Sequence, residues 1–282
     1  DGSNQQMVST GNGRTTCAFF DPDGESIVYA STHLGGLECP PAPSFRMGYV
    51  WAIYESYDIF RAGPDGEGLV NLTDTPGYDA EATIGPDGRI VFTSVRDGDM
   101  EIYSMNGDGS DVVRLTNRQG PDGGPFFSPD GSKIVFRGRE IQDGDEYDDY
   151  KGLLDQGLWR PTAVEVFVMD SDGGNLIQVT DFGGASFAPF WHPNGERIIF
   201  SSNLDEFFEI RVAGIMQKLN IGDVSTSAHG MRPSEVLNDI SAVAHEAIAE
   251  QYRILNEDIL PALAKEDIRY LKRDELNSEQ SA

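Results

Sequence analysis

Four stretches of this chain repeat one another closely enough to dictate most of its fold: "DPDGESIVYAS" (21–31), "GPDGRIVFTS" (85–94), "SPDGSKIVFRG" (128–138) and "HPNGERIIFSS" (192–202). Each opens on Pro-Asp-Gly or Pro-Asn-Gly. Proline presets its own φ, glycine accepts the positive φ that ends a tight turn, and an Asp or Asn side chain can bond to the backbone two residues on. The Ile, Val and Phe residues that follow are branched or aromatic and suit a strand. A second strand comes next in "YDIFRAGPDG" (57–66), "MEIYSMNGDG" (100–109) and "VEVFVMDSDG" (164–173), each closing on an Asp-Gly turn of the hairpin kind. A third reads "GLVNLTD" (68–74), "DVVRLTN" (111–117) and "NLIQVTD" (175–181), and a fourth short segment ("AEATIGPDG", "GPFFSPDG", "FAPFWHPNG") leads into the next turn.

The spacing sharpens this. Pro86 to Pro129 and Leu72 to Leu115 each span 43 positions, whereas Pro22 to Pro86 and Pro129 to Pro193 each span 64. Alternate units therefore carry 21 additional residues at one fixed place, between the first and second strands: 33–56 and 139–163. Four short strands per 43 residues is the period of a propeller blade. The expectation is a mainly β fold: a partial, open β-propeller of three to four four-stranded blades over 1–202, with an α-helical segment over 203–282. Three units and the start of a fourth leave edges open, so association through blade edges is expected. Insertions at one point of a repeat fall on one face, usually the binding face.

The pattern of Ser-Pro-Asp-Gly, Ile-Val-Phe, Glu-Ile-Tyr-x-Met-Asn-x-Asp-Gly and Leu-Thr-Asn resembles the TolB-type β-propeller repeats, which are related to the propellers capping prolyl oligopeptidase-like peptidases. It covers about residues 15–202. The resemblance implies a bacterial, periplasmic or exported module that binds proteins or peptides and does not catalyse.

Beyond Asn203 the rules change. From Leu204 the apolar residues Leu204, Phe207, Phe208, Ile210 and Val212 fall nearer to helical spacing, and Val236, Leu237, Ile240, Val243, Ala244, Ala247, Ile248, Tyr252, Leu255 and Ile259 make one stripe of a long helix that Pro261 should kink or end. "FSSNLDEFFEIRVAG" (200–214) and "EQYRILNEDILPALAKEDIRYLKRDELN" (250–277) are similar to the helical N-terminal domain of bacterial polyphosphate kinase. That likeness implies ATP as cofactor, with Asn203 contacting the adenine, and a cytoplasmic setting if this part governs. "IIFSSN" serves both patterns, so the chain reads as two sequences joined there, by gene fusion or by an artificial join.

Composition narrows the partners. With 47 acidic against 21 basic residues the formal charge is -26, which opposes binding to nucleic acid or an anionic membrane surface. No apolar run is long enough to span a bilayer, and the start at Asp1 has the look of an excised or processed piece. Cys17 and Cys39 lack metal-ligand spacing and read as free thiols, or as a bridge in an exported protein. The Asp-rich stretches 106–111 and 170–175 lack the terminal glutamate of a calcium loop and read as turns, and Asn71-Leu72-Thr73 is explained by the repeat rather than by glycosylation. His33, His192, His229 and His245 show no ligand spacing. No nucleophile elbow or phosphate loop occurs, so catalytic and metal-binding residues are expected to be absent.

Two functions follow. In the first, the aromatic residues of the inserts, Trp51, Tyr54, Tyr147 and Trp159, meet a protein or peptide partner, aided by the acidic run Asp143, Asp145, Glu146, Asp148 and Asp149, itself expected to be a solvated loop. In the second, the chain represents part of an ATP-dependent polyphosphate kinase, inactive without groups that stabilise the transferring phosphoryl.

Overall fold

In the computed structural model the described residues are 3–203 and 209–212, all within the first of the chain's two units, Asp1–Asn220. The stripe from Val236 to Ile259 lies outside them. The described part is built from antiparallel sheets, three of them four-stranded. Sheet one holds β1 (Thr15–Phe20), β2 (Ile27–Ser31), β4 (Asp58–Ala62) and β5 (Val70–Asn71); sheet two holds β6 (Asp79–Ile84), β7 (Ile90–Ser94), β8 (Glu101–Met105) and β9 (Val113–Arg114). Sheet three holds β10 (Asp122–Phe127), β11 (Lys133–Gly138), β13 (Glu165–Asp170) and β14 (Ile177–Gln178), and sheet four holds β15 (Ser186–Trp191), β16 (Ile198–Ser202) and β17 (Glu209–Val212). A separate pair, β3 (Trp51–Ala52) with β12 (Leu158–Trp159), comes from the two inserts.

The strands are the expected ones, but each sheet begins one strand earlier than the turn motifs suggest. The segment before each Pro-Asp-Gly turn is not the last strand of its unit; it is the first strand of the next sheet, and Thr15–Phe20 supplies the one before the first turn. The turn makes this pairing. Gly24, Gly88, Gly131 and Gly195 have φ of 73° to 82°, and their N–H groups donate to the residue before proline at 2.8–3.0 Å. The intervening Asp23, Asp87, Asp130 or Asn194 accepts from the N–H two residues on at 2.8–3.1 Å, so each triplet joins first and second strands as a hairpin.

Side chains alternate between the two faces of each sheet and fill the gaps between sheets. Val28 and Ile59 of sheet one pack against Ile90, Phe92, Tyr103 and Met105 of sheet two. Val91 and Ile102 of sheet two pack against Ile134, Phe136, Phe167 and Met169 of sheet three, and Val135 and Val166 pack against Trp191, Ile198 and Phe200 of sheet four. Strands β2, β7 and β8 are buried on both faces for that reason. The first strands β1, β6, β10 and β15 neighbour one another in that order. All four carry the same β-bulge, with Cys17, Glu81, Gly124 and Ala188 at φ of 47° to 62°.

The Leu-Thr motif has a structural cause. Thr73, Thr116 and Thr180 accept the N–H of Ile59, Ile102 and Val166 at 2.8–2.9 Å, and their hydroxyls donate to the acid that opens the same strand, Asp58, Glu101 and Glu165. One hydroxyl thus fastens the short outer strand to the sheet. Thr73 is 3% exposed, which accounts for Asn71-Leu72-Thr73 without a glycan.

Two expectations change. The acidic insert is not a loop: it forms helix α1 (Asp145–Leu154), whose first turn carries Asp145, Glu146 and Asp148 at the positive end of the helix dipole and whose Tyr150 and Leu153 are buried. The helical spacing read from Leu204 does not hold at Glu209–Val212, and sheet four has more than the single strand expected of a fourth unit. Ile199 pairs with Val212 and Ser202 with Glu209, so open backbone groups of β16 override a local helical pattern.

Candidate functional site

The inserts leave sheets one and three separately and meet. Trp51 stands opposite Trp159 and Ala52 opposite Leu158 in the β3–β12 pair, and Ile53 N–H donates to Gly157 O at 2.7 Å. Beneath the pair lies a core of Ile53, Tyr57, Tyr78, Met100, Ile141, Tyr150 and Trp159.

The four aromatic candidates fall into this construction unequally. Trp159 is 2% exposed, and Trp51 is half-buried, edge-on to Trp159 at 5.3 Å and tilted over Phe187 of β15 at 5.6 Å. The Arg137 guanidinium lies over both indoles, 5.2 Å from Trp159 and 5.8 Å from Trp51, while forking onto Glu81 at 2.8 and 2.9 Å. Tyr147 is half-buried against Tyr150, and Tyr54 donates to Pro41 O at 2.7 Å. The structure therefore brings Trp51 and Trp159 together as a brace, with Tyr54 and Tyr147 at its margins.

Sequence reading places Tyr150 beside the acidic insert but misses Asp99 and Lys151, which anchor helix α1, and the residues that line the nearby cleft. Tyr150 OH donates to Asp99, whose other oxygen accepts Gly120 N–H at 3.2 Å; burial first, then the Asp99 charge, pushes the Tyr150 hydroxyl far above its ordinary range. Lys151 donates to Gly98 O. On the same face a cleft of about 350 Å³ opens among Ile53, Glu55, Pro76, Gly77, Val95, Leu154 and Asp155. Gly98 and Gly157 complete its lining. Its two ionisable groups, Glu55 and Asp155, are both acids and both exposed. On α1, Glu146 pairs with Arg139 at 2.7 Å and Asp149 with Arg160 at 3.6 Å, and all four acids, these two with Asp145 and Asp148, are exposed. Two acids on the lining, with the Lys151 ammonium on Gly98 O at its edge, leave the cleft with a net excess of negative charge.

Asn203 sits elsewhere, at the end of β16. Its N–H donates to Ala185 O at 3.1 Å and its side-chain oxygen accepts the Ala185 N–H. Cys17 and Cys39 are free and exposed. Among the described residues no group of three or more His, Cys, Asp and Glu is placed to hold a metal ion, and no helix is long and apolar enough to cross a membrane.

Comparison with known proteins divides the chain in two. Its structure is similar to a TolB-like protein of Agrobacterium tumefaciens (26% identity, TM-score 0.50, covering 72% of this chain and 60% of that one) and to TolB of Acinetobacter baumannii (20%, TM-score 0.50, covering 70% and 39%). A family profile described as the polyphosphate kinase N-terminal domain matches residues 197–271. Polyphosphate kinase of Pseudomonas aeruginosa is 50% identical over 76 residues and that of Streptomyces coelicolor 43% over 84, the chain covering 11% of each enzyme's length. The chain is thus similar along its first part to TolB-like β-propeller proteins and along its last part to the N-terminal domain of polyphosphate kinases.

Proposed function

We propose that this protein is a non-catalytic β-propeller module of three to four blades that binds a protein partner on the insert face, through an extended basic segment laid in the cleft between Glu55 and Asp155. The observation that supports this reading is the joining of the two inserts through β3 and β12 beside an acid-flanked cleft of about 350 Å³. Trp51 and Trp159 brace the face, and the half-buried Tyr54 and Tyr147 flank them. A rigid scaffold carrying a shallow acidic cleft favours main-chain and Lys or Arg contacts over a small apolar ligand. Exposed charges that steer association are screened by salt, so affinity should fall as ionic strength rises.

The test is fluorescence anisotropy with labelled extended peptides rich in lysine, glutamate or serine. Binding of the lysine peptide alone, weakened by salt and by Glu55→Lys with Asp155→Lys, is expected. Equal binding of all three peptides, or binding unchanged in the double variant, refutes the reading. Deleting 139–163 is a poorer test, since it removes Tyr150 and Trp159 from the core.

A second reading, nucleotide binding by the last part of the chain, is favoured by the match over 197–271. Asn203 would give its NH₂ to adenine while its oxygen stays on Ala185 N–H. Calorimetry with ATP separates these roles: Asn203→Asp keeps an acceptor for Ala185 and loses the donor. Heat with the parent that vanishes in this variant supports the reading, and no heat with the parent sinks it.

A further inference from the structure

The bulges of the first strands are linked by side chains, and one link is missing. Glu81, at the bulge of β6, turns its carboxylate toward sheet three, where it accepts Thr93 Oγ1 at 2.8 Å, the Gly124 N–H at 2.9 Å and Arg137 Nη2 at 2.8 and 2.9 Å. Three donors thus converge on one acid: a hydroxyl from its own second strand, the bulge N–H of the next first strand, and a side chain of the next second strand. One interval earlier the Cys17 sulfur accepts the Glu81 N–H. One interval later, between sheets three and four, the bulge residue is Gly124, which has no side chain to give.

The donors of that later interval are present all the same. Ala80 stands opposite Thr93, Gly123 opposite Arg137 and Phe187 opposite Ser201. Arg137 therefore takes the place of Thr93, the Ala188 N–H that of the Gly124 N–H, and Ser201 that of Arg137. Arg137 Nη1 occupies the spot where a Cβ on Gly124 would start, at the root of the missing side chain. Among the described residues neither Nη1 nor the Ser201 hydroxyl has a hydrogen-bond partner, although Arg137 as a whole is 6% exposed. Ala188 itself is exposed and Ser201 half-buried, and the half-buried Trp51 ring lies tilted over Phe187, the neighbour of Ala188, at 5.6 Å.

We propose that this place between sheets three and four binds the chain-terminal carboxylate of a peptide. The carboxylate accepts from Arg137 Nη1, the Ala188 N–H and the Ser201 hydroxyl, as Glu81 accepts from its three donors. One guanidinium serving two acids has a precedent in this chain, since Arg114 pairs with Glu101 at 2.6 Å and with Asp97 at 3.5 Å. Trp51 and Phe187 select the kind of carboxylate. A chain terminus carries its last side chain on the carbon next to the carboxylate, so an apolar last residue lies on the indole while the acid is held; the carboxylate of a glutamate side chain has no such branch beside it. The site is separate from the acidic cleft and takes a ligand of the opposite charge, so it stands independently of the function proposed above.

The test is calorimetry on the full chain with the peptide acetyl-Gly-Gly-Ser-Leu, which carries no cation for the cleft, and with its C-terminal amide. The acid should bind and the amide should bind at least about tenfold more weakly, because the bonds assisted by charge are lost. Ser201→Asp sets a carboxylate of the protein's own at the site and should abolish binding of the acid in a protein whose circular dichroism matches the parent. No binding of the acid, equal binding of acid and amide, or a folded Ser201→Asp protein that binds like the parent would overturn the proposal. Equal binding of acetyl-Gly-Glu-Ser-Leu amide, which offers a side-chain carboxylate alone, would overturn it too.

Discussion

Thr116→Val tests the fastening of outer strands directly. Valine matches threonine in shape, so packing is kept while one hydroxyl is lost. That hydroxyl accepts Ile102 N–H at 2.9 Å and donates to Glu101, a carboxylate with 0% exposure that also takes Arg114 at 2.6 Å. A buried donor left without an acceptor costs about 1–3 kcal/mol, and a bond to a charged group contributes about 1.5–3 kcal/mol. The two losses share one network and do not add in full, so we expect about 3 kcal/mol of destabilisation. Thr116→Ser keeps the hydroxyl and should cost under about 1 kcal/mol, the loss of one methyl. Urea unfolding at constant m value measures both. A Thr116→Val protein within about 0.5 kcal/mol of the parent, the range of surface changes, would show that the motif fastens nothing.

Burial raises Asp58 to about 6 and Asp122 to about 7. With folded values above the usual carboxylate range, their stabilising contribution is complete below about pH 4 and is lost as pH climbs to 6 and 7. Asp58→Asn should therefore gain on the parent between pH 4 and 6 in denaturant midpoints, and a constant difference across that window would contradict this. Gly109→Ala places a Cβ against Leu72 O at φ +85°, whereas Gly98→Ala at the same φ meets nothing within 4 Å; thermal melts should show Gly109→Ala the worse by at least about 1 kcal/mol. Trp159→Ala should cost about 3–5 kcal/mol as a core deletion, and an unchanged melting temperature would return Trp159 to the surface. A transcript or genomic read should cross the codons for 198–206 unbroken if the chain is a gene fusion; reads that stop there would mark an artificial join.

Much of the fold was legible because turns and outer strands each rest on local chemistry. Pro-Asp-Gly carries its own φ requirements, and the Leu-Thr motif marks a hydroxyl that must reach a particular N–H. The phase of the repeat was less legible. A segment such as "SFAPFW" is equally apolar whether it ends one sheet or begins the next, and only pairing across the turn decides. Helix α1 was hidden by its charge: of its ten residues Tyr150 and Leu153 are the two that are buried, and what holds Tyr150, the Asp99 carboxylate, lies far away in sequence. The cleft was illegible for a related reason. Glu55 and Asp155 come from different inserts, and nothing local signals that β3 and β12 will pair.

The segment 209–214 shows why one stretch can satisfy two patterns. "EIRVAG" belongs to the stretch that resembles polyphosphate kinase, yet it also matches "DIFRAG" at 58–63: an acid, then isoleucine, then alanine and glycine at the same places. An acid at that place is what a fastening hydroxyl needs, and a branched residue after it suits a sheet. Once β16 presents unpaired N–H and C=O groups, a neighbouring segment with this pattern gains a ladder of hydrogen bonds that solvent alone would otherwise have to supply. Local spacing favours a helix and the sheet edge favours a strand, and the edge prevails at Glu209–Val212. Replacing Ile210 by glycine removes the branched residue and adds backbone freedom; the strand should then lose to solvent, read as faster amide exchange at Phe200 and Ser202, whose N–H groups face β17. Unchanged exchange there would mean that the pairing draws nothing from the sequence of β17.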